Sequence, residues 1–142
     1  MPTTTAAAKR AAAKTEYDAF LAVCPSQRLL DRISDKWVTL VLTALGSGPD
    51  CHGEPRAMRY SELARVIAGV SPKMLSQTLK SLERDGLLTR TATATVPVTV
   101  TYELTDLGLS LQQTVRHLKL WAEANMDTVA ERRSQYDEMV AR

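Results

Sequence analysis

Apolar positions along the chain change period several times, and each change marks an element. Leu29, Leu30 and Ile33 follow Pro25, and Trp37, Leu40, Val41, Ala44 and Leu45 recur at helical spacing after Ser34 or Asp35. Stripes of this period predict two successive helices with one buried side each. Pro suits a first helical position, which puts Cys24 where an N-cap stands. Residues 46–57 hold three Gly and two Pro in twelve positions, so they predict a loop. Met58, Arg59 and Tyr60 suit a short strand. Ser61 is then read as the cap of a short helix with Leu63, Val66 and Ile67 inward, closed by a tight turn at Gly69 and Val70. Ser71-Pro72 opens the next helix with a preferred cap and a preferred first residue. Its predicted span is 72–85, with Leu75, Leu79 and Leu82 inward and Gly86 just past its end.

The texture then turns to Thr and Val. Residues 87–96 and 98–104 predict two antiparallel strands with a tip around Thr95 to Val98. Thr105 caps a last helix, whose stripe of Leu107, Leu111, Val115, Leu118, Ala122 and Val129 carries it toward Met139. That is too long to pack on a small domain by itself. At the other end, residues 1–15 either fray or, given their alanines, join a helix over Ala6–Val23. The expected organisation is a tail and dimerisation helix (1–23), a central domain (24–105) and a C-terminal dimerisation helix (106–142). The class is mainly α with a small β-hairpin (α+β).

Helix, short helix, turn, helix and hairpin in this order describe a winged helix-turn-helix. Such a motif lays its second helix in the major groove of DNA. With the leucines inward, Lys73, Gln77, Lys80 and Arg84 line the outer face, and Ser76 and Ser81 flank them. Gln can bond an adenine edge bidentately, and Lys can bond guanine or a phosphate. Arg56, Arg59 and Arg90 are candidate phosphate contacts, and the helix start at Ser71 offers backbone N–H groups. Any surface helix has a polar face, so it is the order of elements that gives this face its meaning. A winged helix can also dock protein instead of DNA, which leaves an adaptor as the reading from another class.

Composition refines this picture only locally. The net charge is +2, but residues 54–90 hold seven basic against four acidic side chains, while residues 121–142 hold three against five. The middle is the side suited to an anion. Two cysteines are too few to staple a secreted domain, and no apolar run is long enough for a signal peptide or a membrane span, so the expected location is cytoplasmic. Cys24, Cys51, His52 and His117 match no metal-ligand spacing, and no cofactor-binding loop or catalytic motif is present, so neither metal, cofactor nor enzyme activity is expected. Cys24 at a helix start, with Arg28 four residues on, has a setting that favours thiolate. A buried structural cysteine is the alternative. Cys51 in its polar loop is either a resolving partner for Cys24 or an unused surface thiol.

The runs CPSQRLLDRISDKWVTLVLTAL, RYSELARVIAGVSPKMLSQTLKSLERDGLLTR and VPVTVTYELTDLG resemble the HxlR-type transcriptional regulators of bacteria. The resemblance spans roughly residues 24–108. It implies a homodimeric DNA-binding regulator, a repressor, that meets a double-stranded operator through the helix opened by Ser71. Ser71, Lys73, Met74, Gln77 and Lys80 occupy the reading positions, and the N- and C-terminal helices would build the dimer. Several members sense oxidants or electrophiles through a cysteine before a proline, the place of Cys24. The alternative effector is a small-molecule ligand held between the long helices near Trp37 and Trp121. Two departures stand out. The hairpin tip lacks the charged residues usual in such regulators, and the 46–57 loop is long and carries Cys51.

Overall fold

The computed structural model describes residues 3–48 and 52–142. Among these residues, six helices and three strands follow in the order α1 (Ala6–Val23), α2 (Pro25–Ile33), α3 (Lys36–Ser47), β1 (Met58–Arg59), α4 (Tyr60–Val66), α5 (Pro72–Arg84), β2 (Leu88–Thr93), β3 (Thr99–Leu104) and α6 (Asp106–Ala141). The strands form one antiparallel sheet in the order β1-β3-β2. This is the mainly α architecture with a hairpin wing that the sequence predicts.

The core is built from one face of each central element. Val41, Leu42 and Leu45 of α3 meet Leu63 of α4 and Leu75, Leu79 and Leu82 of α5, with Met58 and Leu88 closing the sheet side. Thr78 is buried as well, because it lies between Leu75 and Leu82 on the same helical face. Polar chain ends are satisfied locally. Trp37 N–H donates to Asp35 Oδ1 (2.9 Å), Met74 N–H to Ser71 Oγ (3.1 Å) and Gly108 N–H to Thr105 Oγ1 (3.1 Å), capping α3, α5 and α6 in turn. At its far end, α5 closes with Leu87 N–H on Leu82 O (2.9 Å) and Gly86 N–H on Glu83 O (3.0 Å). That pair of bonds is a Schellman motif, and Gly86 takes the left-handed conformation it requires, with φ 76°.

Several boundaries differ from the sequence reading. α4 starts at Tyr60 with Arg59 as its N-cap residue, not at Ser61. The cause is Glu62, whose Oε1 accepts from Arg59 N–H at 3.2 Å and satisfies a donor that a serine cap would have left elsewhere. Gly46 and Ser47 are buried helix, not loop. They meet Gln112 of α6, whose Nε2 donates to Ser47 Oγ at 2.7 Å, and Gly46 lies so close to that side chain that a Cβ there would overlap it. The hairpin strands are shorter than predicted, leaving a five-residue tip over residues 94–98.

Among the described residues, the fully buried positions of α6 fall near its start. Gly108, Gln112 and Val115 are its buried residues. Beyond them Leu118, Trp121, Met126, Tyr136 and Met139 stand exposed, as do Tyr17 and Phe20 of α1. No helix among the described residues is long and apolar enough to cross a membrane.

Candidate nucleic-acid interface

The sequence places Ser71 and Pro72 at the start of a helix, and the fold fixes that helix at three points. Ser71 caps it, three leucines hold its inner face, and the Schellman turn ends it. A fourth restraint has no sequence cue beyond an aromatic at the right place: Tyr60 of α4 donates its hydroxyl to Pro72 O at 3.0 Å. It ties the first turn of α5 to the helix before it.

Rigidly held in this way, α5 presents Lys73, Ser76, Gln77, Lys80 and Arg84 to solvent, whereas Met74 is half-buried. Ser76, Lys80 and Glu83 of α5 share a cavity of about 300 Å³ with Arg90 of β2 and Tyr102 of β3. The root of the wing therefore meets the outer face of α5, and Arg90 joins Ser76 and Lys80. Sequence reasoning missed Tyr102 and Glu83, which no periodicity assigns to this junction.

Arg59 is not brought to that place. It faces Thr101 across the β1–β3 ladder, whereas Arg90 faces Tyr102 from the other edge of β3. Facing residues of antiparallel strands project to the same side, and neighbours along a strand to opposite sides, so Arg59 and Arg90 lie on opposite faces of the sheet. Arg56 is engaged already, with Nη2 3.0 Å from Glu62 Oε2. Arg59 N–H first, and then the Arg56 guanidinium, hold the Glu62 carboxyl below the usual carboxylate range.

Cys24 is half-buried at the N-cap of α2. Its thiol lies below the ordinary cysteine range because the backbone N–H groups of Gln27 and then Ser26 face it, helped by the Ser26 hydroxyl. The unpaired donors of a helix start thus do the work that the sequence reading had divided between the helix and Arg28. Cys51, the suggested resolving partner, lies outside the described residues. Trp37 is half-buried against the core with Lys36 Nζ 4.5 Å from its ring centroid, and Trp121 is exposed on α6. Neither lines the groove of about 730 Å³ between α2 and the start of α6, whose walls include Pro25, Leu29, Arg32, Leu107 and Leu111. Among the described residues no cluster of three or more His, Cys, Asp or Glu is placed to hold a metal ion.

Against known proteins, a family model described as HxlR-like helix-turn-helix matches residues 32–130. The HTH-type transcriptional regulator YtfH of Escherichia coli (strain K12) is 40% identical over 114 residues, covering 80% of this chain and 84% of that protein. Among solved structures, the transcriptional regulator ytfH from Salmonella typhimurium superposes with a TM-score of 0.64 at 39% identity, covering 80% of this chain and 94% of the other. The redox regulator HypR in its reduced form gives a TM-score of 0.66 at 30% identity, covering 76% of this chain and 99% of the other.

Proposed function

As the chain belongs to the HxlR-like helix-turn-helix family of DNA-binding transcriptional regulators, not enzymes, we propose that it acts as a homodimeric repressor that reads its operator with α5 and senses oxidants or electrophiles through Cys24. The observation that carries the reading is the outer stripe of Lys73, Gln77, Lys80 and Arg84 on a helix held by its cap, its core leucines and Tyr60. A helix so fixed can place its side chains against base edges without first being ordered, which lowers the entropic cost of binding.

The proposed dimer is supported by α6. At about 1.5 Å per residue its 36 residues reach roughly 54 Å, and its fully buried residues end at Val115. Leu118, Trp121, Met126, Tyr136 and Met139 leave an apolar face bare, of the kind that subunit association covers. Sedimentation should give a mass near twice 15.6 kDa, and deletion of the gene should raise transcription from the promoters the protein occupies. A monomer at micromolar concentration, or promoters that fall silent on deletion, would remove the dimer or the repressor assignment respectively.

Thiol sensing rests on the lowered Cys24 pKa and on its partial exposure. It is supported by relatives described as a redox regulator solved in oxidised and reduced forms and as a regulator solved after diamide treatment. A depressed pKa means the thiolate persists as pH falls below the ordinary cysteine value of about 8.5. In a Cys51→Ser background, the rate of iodoacetamide alkylation should therefore reach its midpoint below that value. Cys24→Ser should keep DNA binding and lose release by diamide. Release that persists in Cys24→Ser takes this residue out of the mechanism.

A further inference from the structure

From Thr91 through Thr101 the wing carries no charged residue at all, yet it ends in two valines turned to water. Val96 is fully exposed, at 103%, and Val98 is 65% exposed. The tip that holds them is organised by Thr95, whose Oγ1 donates to Pro97 O at 2.8 Å and lies 3.2 Å from Thr99 Oγ1, while Thr95 N–H donates to Thr93 O at 2.8 Å. The valines are thus presented by a bonded turn rather than left on a slack loop.

We propose that this tip is an apolar wedge for the minor groove of DNA, acting by deforming a base step and not by pairing with phosphates. The proposal rests on α5 docking in the major groove. Three observations direct the tip to DNA. The root of the hairpin shares a cavity with Ser76 and Lys80 of α5, so the wing continues the reading face. Its reach fits: six residues separate Arg90 from Val96, at most about 20 Å at roughly 3.3 Å per residue. Half of a helical repeat of about 34 Å is roughly 17 Å, the axial step from a major groove to the adjoining minor groove. The chemistry also fits, since minor-groove proteins insert apolar side chains, proline among them, at steps that unstack easily. A tip with no cation releases no counterions from the phosphates, which leaves apolar contact and sequence-dependent deformability to Val96 and Val98.

Two variants of the full-length protein test this, measured against an operator fragment with 2-aminopurine at the flanking minor-groove step. Val96→Ser with Val98→Ser is expected to weaken binding about tenfold at every salt concentration, with the salt slope unchanged, because only apolar contact is removed. The wild type should raise 2-aminopurine fluorescence on binding, and the double serine variant should not. Val96→Arg should add about one unit to the salt slope if the tip lies against the backbone walls of that groove. Unchanged affinity in the double serine variant, absence of any fluorescence rise in the wild type, or an unmoved salt slope in Val96→Arg each overturns the wedge. Val96 and Val98 are fully and largely solvent-exposed, so melting temperatures equal to the wild type are expected and show that folding is not the cause. If Gln77→Ala with Lys80→Ala leaves binding intact, the docking of α5 fails and the wedge falls with it; if that pair weakens binding while the serine variant does not, the wedge alone fails.

Discussion

Replacing Gly108 by alanine is expected to destabilise the protein by about 3 kcal/mol, at the upper end of overpacking costs, and to lower its melting temperature by roughly 10 °C. A Cβ at this position would run into Leu87 O and press on Leu104 Cδ2 at 3.2 Å. The obstacle is backbone, and it cannot step aside. Leu87 O already accepts from Thr105 N–H at 3.0 Å, Leu87 N–H is committed to the Schellman turn, and Thr105 Oγ1 donates to Gly86 O at 2.7 Å. These bonds join the end of α5 to the start of α6, so relief of the overlap must break one of them. Urea unfolding of Gly108→Ala alongside the wild type measures the effect. A loss below about 1 kcal/mol would show that the junction yields.

Gln77→Ala combined with Lys80→Ala should weaken operator binding by about 3 kcal/mol, roughly 150-fold, while melting temperature and sedimentation stay as in the wild type. Each side chain is exposed and makes no bond that holds the fold, so stability has nothing to lose. A good base contact is worth about 1–3 kcal/mol, and the two lie one turn apart on the same outer face. Fluorescence anisotropy with operator and with scrambled DNA separates the two roles. Loss of Gln77 should erode the preference between them, and loss of Lys80 should weaken both and lower the salt slope by about one unit if it lies on a phosphate. Binding at wild-type strength would mean that another element reads the DNA.

The parts of this fold that the sequence foretells are those set by local rules. Ser71, Pro72 and the leucines at 75, 79 and 82 describe α5 almost to its last residue, because cap, first position and stripe all agree there. Reading failed where a distant residue decides. Gly46 and Ser47 look like loop by composition, and only Gln112, 65 residues on, makes them buried helix. Ser61 looks the better cap than Arg59 until Glu62 is seen to reach back to Arg59 N–H. The candidate interface divides in the same way. The outer stripe of α5 follows from periodicity, whereas the meeting of Arg90 with Ser76 and Lys80, and the placement of Arg59 on the opposite face, depend on strand register. No periodicity decides the surroundings of the two tryptophans: Trp37 packs against the core, and Trp121 is exposed on α6.

The welded junction between Gly86, Leu87, Thr105 and Gly108 has a mechanical meaning. With these bonds spanning the junction, α5 is expected to turn with the arm that follows it. Past Val115 that arm extends for roughly 40 Å, so one degree at its far end would carry α5 sideways by roughly 0.7 Å. In a dimer crossed on these arms, the distance between the two reading helices becomes a matter of crossing angle. Operators offer half-sites at intervals of about 34 Å along the duplex. A change of a few degrees where the arms cross would then put the pair out of step with DNA while each domain keeps its internal structure intact.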